Sequence, residues 1–475
     1  MTDKRLLRLI KELNHEDASR RRLAAEELAS ADERALYPLI NALRDDNPGV
    51  QDASIRSLIS IGGDVTAYMM VPLLRDENPF IRNSAIVILR SLGRVSIPFL
   101  YSLLKDKDDD IRKFAVDILG DIRDGLSLEK ILPLLKDTNP NVRASAAKTI
   151  GRLGYDEAVP YLLEALKDEE WVAFSAIEAL GEIGGKRAIY ALKDTLSMKE
   201  EPLRIAAIDA IGKIGTEDAA KTLKSYFKMA KGIEKEVVIR SLLRLGVLPE
   251  EDVSKFILKL FEESNDWDDM LLYIRGLAMM RYHRAIASII DKAGSLDPSM
   301  PGAEEIILEV KGRLVEFGCS NLIIDVIDDP RFRFRGKVIA IDVVGELKCQ
   351  RAVPTLIKLL ESNLRDVRRA SIRAIGNIDG RGAINTLIEA TDDYDSHVRK
   401  AAIIALGKIG AKEAFEPITR LLDKEPYEDV VEEAIKSLLS IDRDRFLSMR
   451  QEFKGDLSAI VERIIETEAF SGEDQ

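Results

Sequence analysis

The chain of 475 residues is poor in most of the residue types that carry chemistry. It has two cysteines, Cys319 and Cys349, too few for a disulfide framework and suited to a reducing compartment. Only three histidines occur, His15, His283 and His397, far from the clustered Cys and His that a zinc site needs. Aromatic residues are 6% of the total, so Leu, Ile, Val and Ala must do the packing, a bias of long helical assemblies rather than β-rich ones. No apolar run approaches the roughly 18 residues of a bilayer span. The opening MTDKRLLRLIKELNHEDASRRR is charged throughout and lacks a signal-peptide core, so a cytoplasmic protein is expected. Positive charge is in deficit: 70 Lys+Arg against 82 Asp+Glu leave −12, which argues against generic attraction to nucleic acid or anionic membranes while permitting a local basic patch.

What the chain has is a repeat. Val142-Arg143-Ala144-Ser145-Ala146-Ala147 through Gly151-Arg152-Leu153-Gly154 returns as Val398-Arg399-Lys400-Ala401-Ala402 through Gly407-Lys408-Ile409-Gly410. It returns again as Val367-Arg368-Arg369-Ala370 through Gly376-Asn377-Ile378. Aligned on the valine, fourteen units begin at Arg20, Val50, Ile81, Ile111, Val142, Val172, Leu203, Glu234, Asp269, Ile306, Gly336, Val367, Val398 and Val430. Their spacing holds near 31 residues, the helix-pair range of repeat proteins, except for steps of 35 and 37 between Glu234 and Ile306. Within a unit, residues 142, 146, 150 and 153 make one apolar stripe of a helix, and Gly154 ends it. A second helix then opens on a proline, as at Pro38, Pro72, Pro98, Pro133, Pro160, Pro354 and Pro417, where the missing N–H costs nothing. Turns such as Lys136-Asp137-Thr138-Asn139-Pro140 supply Asp or Asn caps for the next helix. Such a hairpin closes no core alone, so stacking must bury it. The expected fold is all-α: an α-solenoid of about fourteen helical hairpins.

The pattern D-x-N-P-x-V-R-x-x-A-A-x-x-L-G-x-I-G resembles HEAT repeats, in the short variety named after phycobilisome lyases. The resemblance covers essentially residues 1–445. The expected organisation is regular repeats over 1–233, irregular repeats over 234–335 with a loop insertion near 294–302 as a hinge or docking loop, regular repeats over 336–445, and a helical cap and tail over 446–475. By this resemblance the helix carrying Val-Arg lies on the concave side and the proline-led helix outside. Arg82, Arg112, Arg143, Arg204, Arg368 and Arg399 follow the aligned position and are assigned to a structural ladder, paired with turn carboxylates such as Asp137 and Asp395.

Residues two, six and ten beyond the aligned position share one helical side and are expected to face the groove. There the middle of the chain is acidic, with Asp117, Asp121, Glu178, Glu182 and Asp209 beside apolar Phe174 and Ile205. Toward the C-terminus it is basic, with Arg369, Arg373, Lys400 and Lys408. Opposed charge along one groove would orient an extended protein partner. The run Arg331-Phe332-Arg333-Phe334-Arg335-Gly336-Lys337 is read as phenylalanines packed between repeats, with the arginines at the surface.

Catalytic chemistry has no visible carrier. HEAT-type deoxyhypusine hydroxylases hold iron with several His-Glu pairs, and only His15-Glu16 is present. Gly181-Glu182-Ile183-Gly184-Gly185-Lys186-Arg187 lacks the spacing, the Ser/Thr and the strand of a phosphate loop. No catalytic residue, metal site or cofactor is assigned. The sequence points to a non-catalytic scaffold or adaptor binding a protein along its concave groove. Two alternatives stand beside it: a phycobilin-lyase-like or chaperone-like protein acting on a tetrapyrrole-bearing partner, and a nucleic-acid-binding helical repeat.

Overall fold

A computed structural model describes residues 2–471, and residues 472–475 of the expected tail lie outside the described residues. Helices and short 3-10 segments are the regular structure found among the described residues, and no strand occurs there. Each of the fourteen aligned positions falls in the first turn or two of a helix, from Ala18–Glu27, which holds Arg20, to Glu428–Ile441, which holds Val430. The chain divides into two compact units, Met1–Glu250 and Glu251–Gln475, each an α-solenoid built from these helix pairs.

Local chemistry explains the hairpins. The first helix of a repeat starts on a side-chain cap: Asn47, Asn78, Asp108, Asn139 and Asp395 each accept a backbone N–H two residues on. Proline follows the cap at Pro48, Pro79 and Pro140, and Gly154 and Gly410 close their helices in the left-handed conformation. The second helix is short, as in Val159–Ala165 with Pro160 in its first turn. Irregular repeats keep the plan. Helix Gly232–Arg244 buries Glu234 where other repeats bury valine, and helix Ala303–Glu316 starts on Gly302. Its buried Val310 and Leu314 stand four and eight residues past Ile306, as the buried Ala146 and Ile150 stand past Val142.

First helices of consecutive repeats pack along their lengths, while second helices touch each other more sparsely. Glycine makes the tight spacing possible. A Cβ on Gly151 would sit 2.6 Å from the Ala179 Cα of the next repeat, and one on Gly376 would sit 2.9 Å from the Ala405 Cβ. Both glycines lie nine residues past the aligned position and both alanines seven, so one repeating pair of small residues sets the approach.

Against the expectation that no apolar run approaches a bilayer span, Pro79–Leu103 is apolar and long enough by composition to cross a membrane. It is two helices, Pro79–Leu92 and Ile97–Leu103, joined by a 3-10 turn, and Ile81, Ile88, Leu89 and Leu100 are buried between them and their neighbours. The cysteines also depart from expectation. Cys319 and Cys349, expected to suit a reducing compartment, form a disulfide with Cα atoms 5.8 Å apart. Each stands just before the second helix of its repeat, and a separation of 30 residues places one above the other.

A candidate partner-binding face

The face is held in register by an arginine that serves two turns. Arg143 Nη1 donates to the Asp137 carbonyl of its own turn at 2.9 Å. Its Nε and Nη2 take both oxygens of Asp168, in the next turn, at 2.6 and 2.7 Å. The Asp137 carboxylate is not its partner. That group accepts Arg112 of the preceding repeat at 2.8 and 2.7 Å, and the Asn139 N–H at 2.8 Å. Arg368 repeats the device on the Ser362 carbonyl and Asp393, and Arg399 on the Asp393 carbonyl and Glu425. Asp395 caps the helix instead. Among the described residues Arg82 donates to the carbonyls of Asp76 and Glu77 and has no ion pair, and Asp106 pairs with Arg75.

Arg204 meets a turn without aspartate, Met229-Ala230-Lys231, and Glu234 reaches back to fill the place. Its Oε1 accepts Arg204 at 2.6 Å and its Oε2 the Tyr226 hydroxyl at 2.6 Å. Burial and that carboxylate push the Tyr226 hydroxyl up to about 12. The Arg143 guanidinium in turn holds the Asp168 carboxyl below its ordinary range.

In the first unit the groove positions gather in two adjoining clefts. Phe174, Glu178, Glu182 and Asp209 line one of about 430 Å³, and Glu178 and Glu182 share the other with Lys148 and Arg152. Ile205 is half-buried and its neighbour Ala206 lines the cleft instead. Asp117 pairs with Lys113 at 2.7 Å, and Asp121 bridges Arg152 and Arg90 at 2.9 and 3.5 Å. Asp209 takes Lys213 at 2.8 Å and Arg244 at 3.2 Å. The acidic stretch is therefore partly neutralised by cations from its own and adjacent repeats. Glu178 and Glu182 are the groove carboxylates here without an ion pair among the described residues.

In the second unit a cleft of about 710 Å³ collects Arg369, Arg373, Lys400 and Lys408 with Lys311 and His397. Three carboxylates interleave, Asp342, Glu346 and Asp429. Asp342 pairs with Arg373 at 2.9 Å and also with Lys311, while Asp429 takes Lys400 at 3.1 Å. A neighbouring cleft of about 630 Å³ has an apolar wall and a charged rim of Glu304, Lys311, Arg335, Asp366, Arg369 and Arg373. Its walls come from the 294–302 insertion and from Phe334, which is 41% exposed rather than packed between repeats as the Arg-Phe run suggested.

Lys148, Arg152, Lys213 and Asp342 were legible, since each stands six or ten residues past an aligned position. Lys311 was not legible, since it stands five residues past Ile306 rather than six, and stacking brings it beside Asp342, which also pairs with Arg373.

Two layers of short antiparallel helices, stacked by an Arg–carboxylate ladder, define a helical-repeat solenoid. The chain belongs to the HEAT-repeat family: the model described as HEAT repeats matches residues 6–91, 97–173, 168–243, 321–393 and 353–439. Those matches leave out 244–320, where the repeats lengthen. No curated protein matches the sequence. Among solved structures it is similar to Kap121p bound to Pho4p, at 15% identity with a TM-score of 0.50, covering 98% of this chain and 56% of that one. It is also similar to yeast importin-beta, Kap95p, at 13% identity with a TM-score of 0.46, covering 93% of this chain and 74% of that one. At these identities the likeness concerns the fold.

Proposed function

We propose that this protein is a non-catalytic HEAT-repeat scaffold that binds a protein partner along the face of its first helices. The observation that carries the reading is the distribution of clefts: Phe174, Glu178 and Asp209 in one unit, and Arg369, Arg373, Lys400 and Lys408 in the other, converge from successive helices at equivalent register. Many shallow contacts summed over stacked helices suit an extended polypeptide. Kap121p, which shares the fold, is bound to Pho4p in one solved structure and to RanGTP in another, and both occupants are proteins. The short-repeat subtype, a cytoplasmic location and a division into regular repeats flanking an irregular middle belong to the same proposal. A photo-crosslinking residue placed at Glu178 or Lys400 should capture a partner in native cells, and one at Tyr68 or Tyr190, exposed on second helices, should not. Capture from the second helices alone would refute the assignment of the face.

A further inference from the structure

The two clefts of the second unit are one composite site, and its halves have different chemistry. Arg369, Arg373 and Lys311 line both. On one side Leu296 and Pro298 of the insertion meet Ile307, Leu308, Phe334 and Val338. Leu308 is 72% exposed and Phe334 41%, so this apolar half is open to solvent. The insertion is pinned there by a backbone approach: a Cβ on Gly294 would lie 2.7 Å from the Gly336 nitrogen, so the helix Ile286–Gly294 runs directly onto the helix Phe334–Glu346. The apolar half is thus built into the packing.

The other half is a set of cations whose donors are not used up. Over the two clefts together six cations, Lys311, Arg335, Arg369, Arg373, Lys400 and Lys408, stand among five carboxylates, Glu304, Asp342, Glu346, Asp366 and Asp429, a local excess of positive charge in a chain whose total charge is −12. Arg369 has a single ion pair, with Asp366 of its own first turn at 3.5 Å, and its Nε is buried without a hydrogen-bond partner. Lys408 donates to the Asn377 side-chain oxygen at 3.2 Å and to no carboxylate among the described residues. Arg335, at the apolar rim, spends one N–H on the Leu296 carbonyl at 3.3 Å. The rest of the Arg369 guanidinium is reachable from the cleft, its side chain being 38% exposed, so an anion there would gain charge-assisted hydrogen bonds.

We propose that this composite site binds an acidic peptide segment of a partner protein. One apolar side chain seats against Leu308 and Phe334, and carboxylates on the same segment meet Arg369, Arg373 and Lys408. From Leu308 to Lys408 the proposed contacts span four first helices, or three steps of roughly 8–10 Å, which corresponds to about eight extended residues. A simple polyanion would use the basic half and leave the apolar half empty. A purely apolar helix would leave the spare guanidinium donors buried. The inference rests on the protein-binding reading above and names the partner's chemistry at one place on the face.

The test is selection from a phage-displayed library of random peptides on the full chain, followed by fluorescence anisotropy of the enriched peptides. Enriched peptides should combine several Asp or Glu with one aromatic or branched apolar residue. Each should bind at least about tenfold more weakly to the R369Q/R373Q chain and to the L308S/F334S chain. Arg369 and Arg373 are 38% and 51% exposed, so their replacement is compatible with folding, and circular dichroism of every variant confirms it. No enrichment, enrichment without acidic residues, or equal affinity for the variants overturns the inference. So does displacement by a short single-stranded DNA that is equally strong on wild type and on the L308S/F334S chain. Crosslinking at Glu178 and Lys400 remains the separate check on the scaffold reading: a captured partner together with a failed selection removes the acidic-peptide assignment alone.

Discussion

Removing Arg368 should loosen two repeats at once. Its side chain is 4% exposed, and its partner Asp393 is 12% exposed. The guanidinium donates to both oxygens of Asp393 at 2.8 and 2.9 Å and to the Ser362 carbonyl at 2.8 Å, and it lies 4.6 Å over the Tyr394 ring. In Arg368→Ala the Asp393 carboxylate keeps the Asp395 N–H but loses its counter-charge, and the Ser362 carbonyl loses its donor. Stripping one partner from a largely buried, hydrogen-bonded pair costs about 3–5 kcal/mol. Such a loss corresponds to roughly two orders of magnitude or more in local opening. Because solenoid repeats feel mainly their neighbours, the loss should appear in the helices Arg365–Ile378 and Ser396–Ile409 and fade beyond them. Native-state hydrogen exchange reads this directly. A double-mutant cycle with Asp393→Asn should return a coupling of about 1–3 kcal/mol. Coupling near zero, or exchange that rises uniformly through the unit, would refute the ladder as the element that fixes register.

Glycine gives a contrast within one family of substitutions. Gly376→Val pushes a side chain against Ala405 and should cost about 1–3 kcal/mol, whereas Gly312→Ala, on an exposed helix interior with nothing within 4 Å, should gain about 0.5–1 kcal/mol. Urea midpoints in which the two fall on the same side of wild type would contradict the packing rule. Acid tests the ladder as a whole. Arg143 holds Asp168, and Arg21 holds Asp45, below the ordinary value of 3.8, while at Asp137 the hydrogen bonds from Arg112 and Asn139 outweigh the burial that opposes them. A depressed carboxylate stabilises the folded chain above its unfolded pKa and loses that contribution as pH falls through the folded one. The urea midpoint should therefore hold between about pH 7 and 5 and decline below about pH 4; an unchanged midpoint at pH 3 would remove these charges from the account. Rapid alkylation of intact cells should find Cys319 and Cys349 as free thiols if the protein is cytoplasmic. Quantitative pairing, as in the structure, would place it in an oxidising compartment instead.

A single linear pattern was enough for the helix pairs. Asn139-Pro140 announces a cap and a first turn, Gly154 a left-handed stop, and Pro160 the start of the second helix, and each acts within a few residues of itself. The row Lys148, Arg152 and Glu178 was equally legible, because helical period alone decides which side chains share a face.

Pairings between repeats were not legible in that way. Arg143 stands six residues after Asp137, yet its guanidinium bonds the carboxylate 25 residues further on, and Asp137 turns back to Arg112. The choice depends on how one turn stacks on the next, which no local signal encodes. The same holds for Cys319 over Cys349, for Glu234 standing in for a missing turn aspartate, and for Gly294 against Gly336 carrying the insertion onto Phe334. Sequence by itself determined the repeat and its caps, because those follow from short-range sterics and hydrogen bonding. Tertiary structure decided which charges are cancelled and which are left over, because that depends on which side chains the stacking of separate repeats brings within reach.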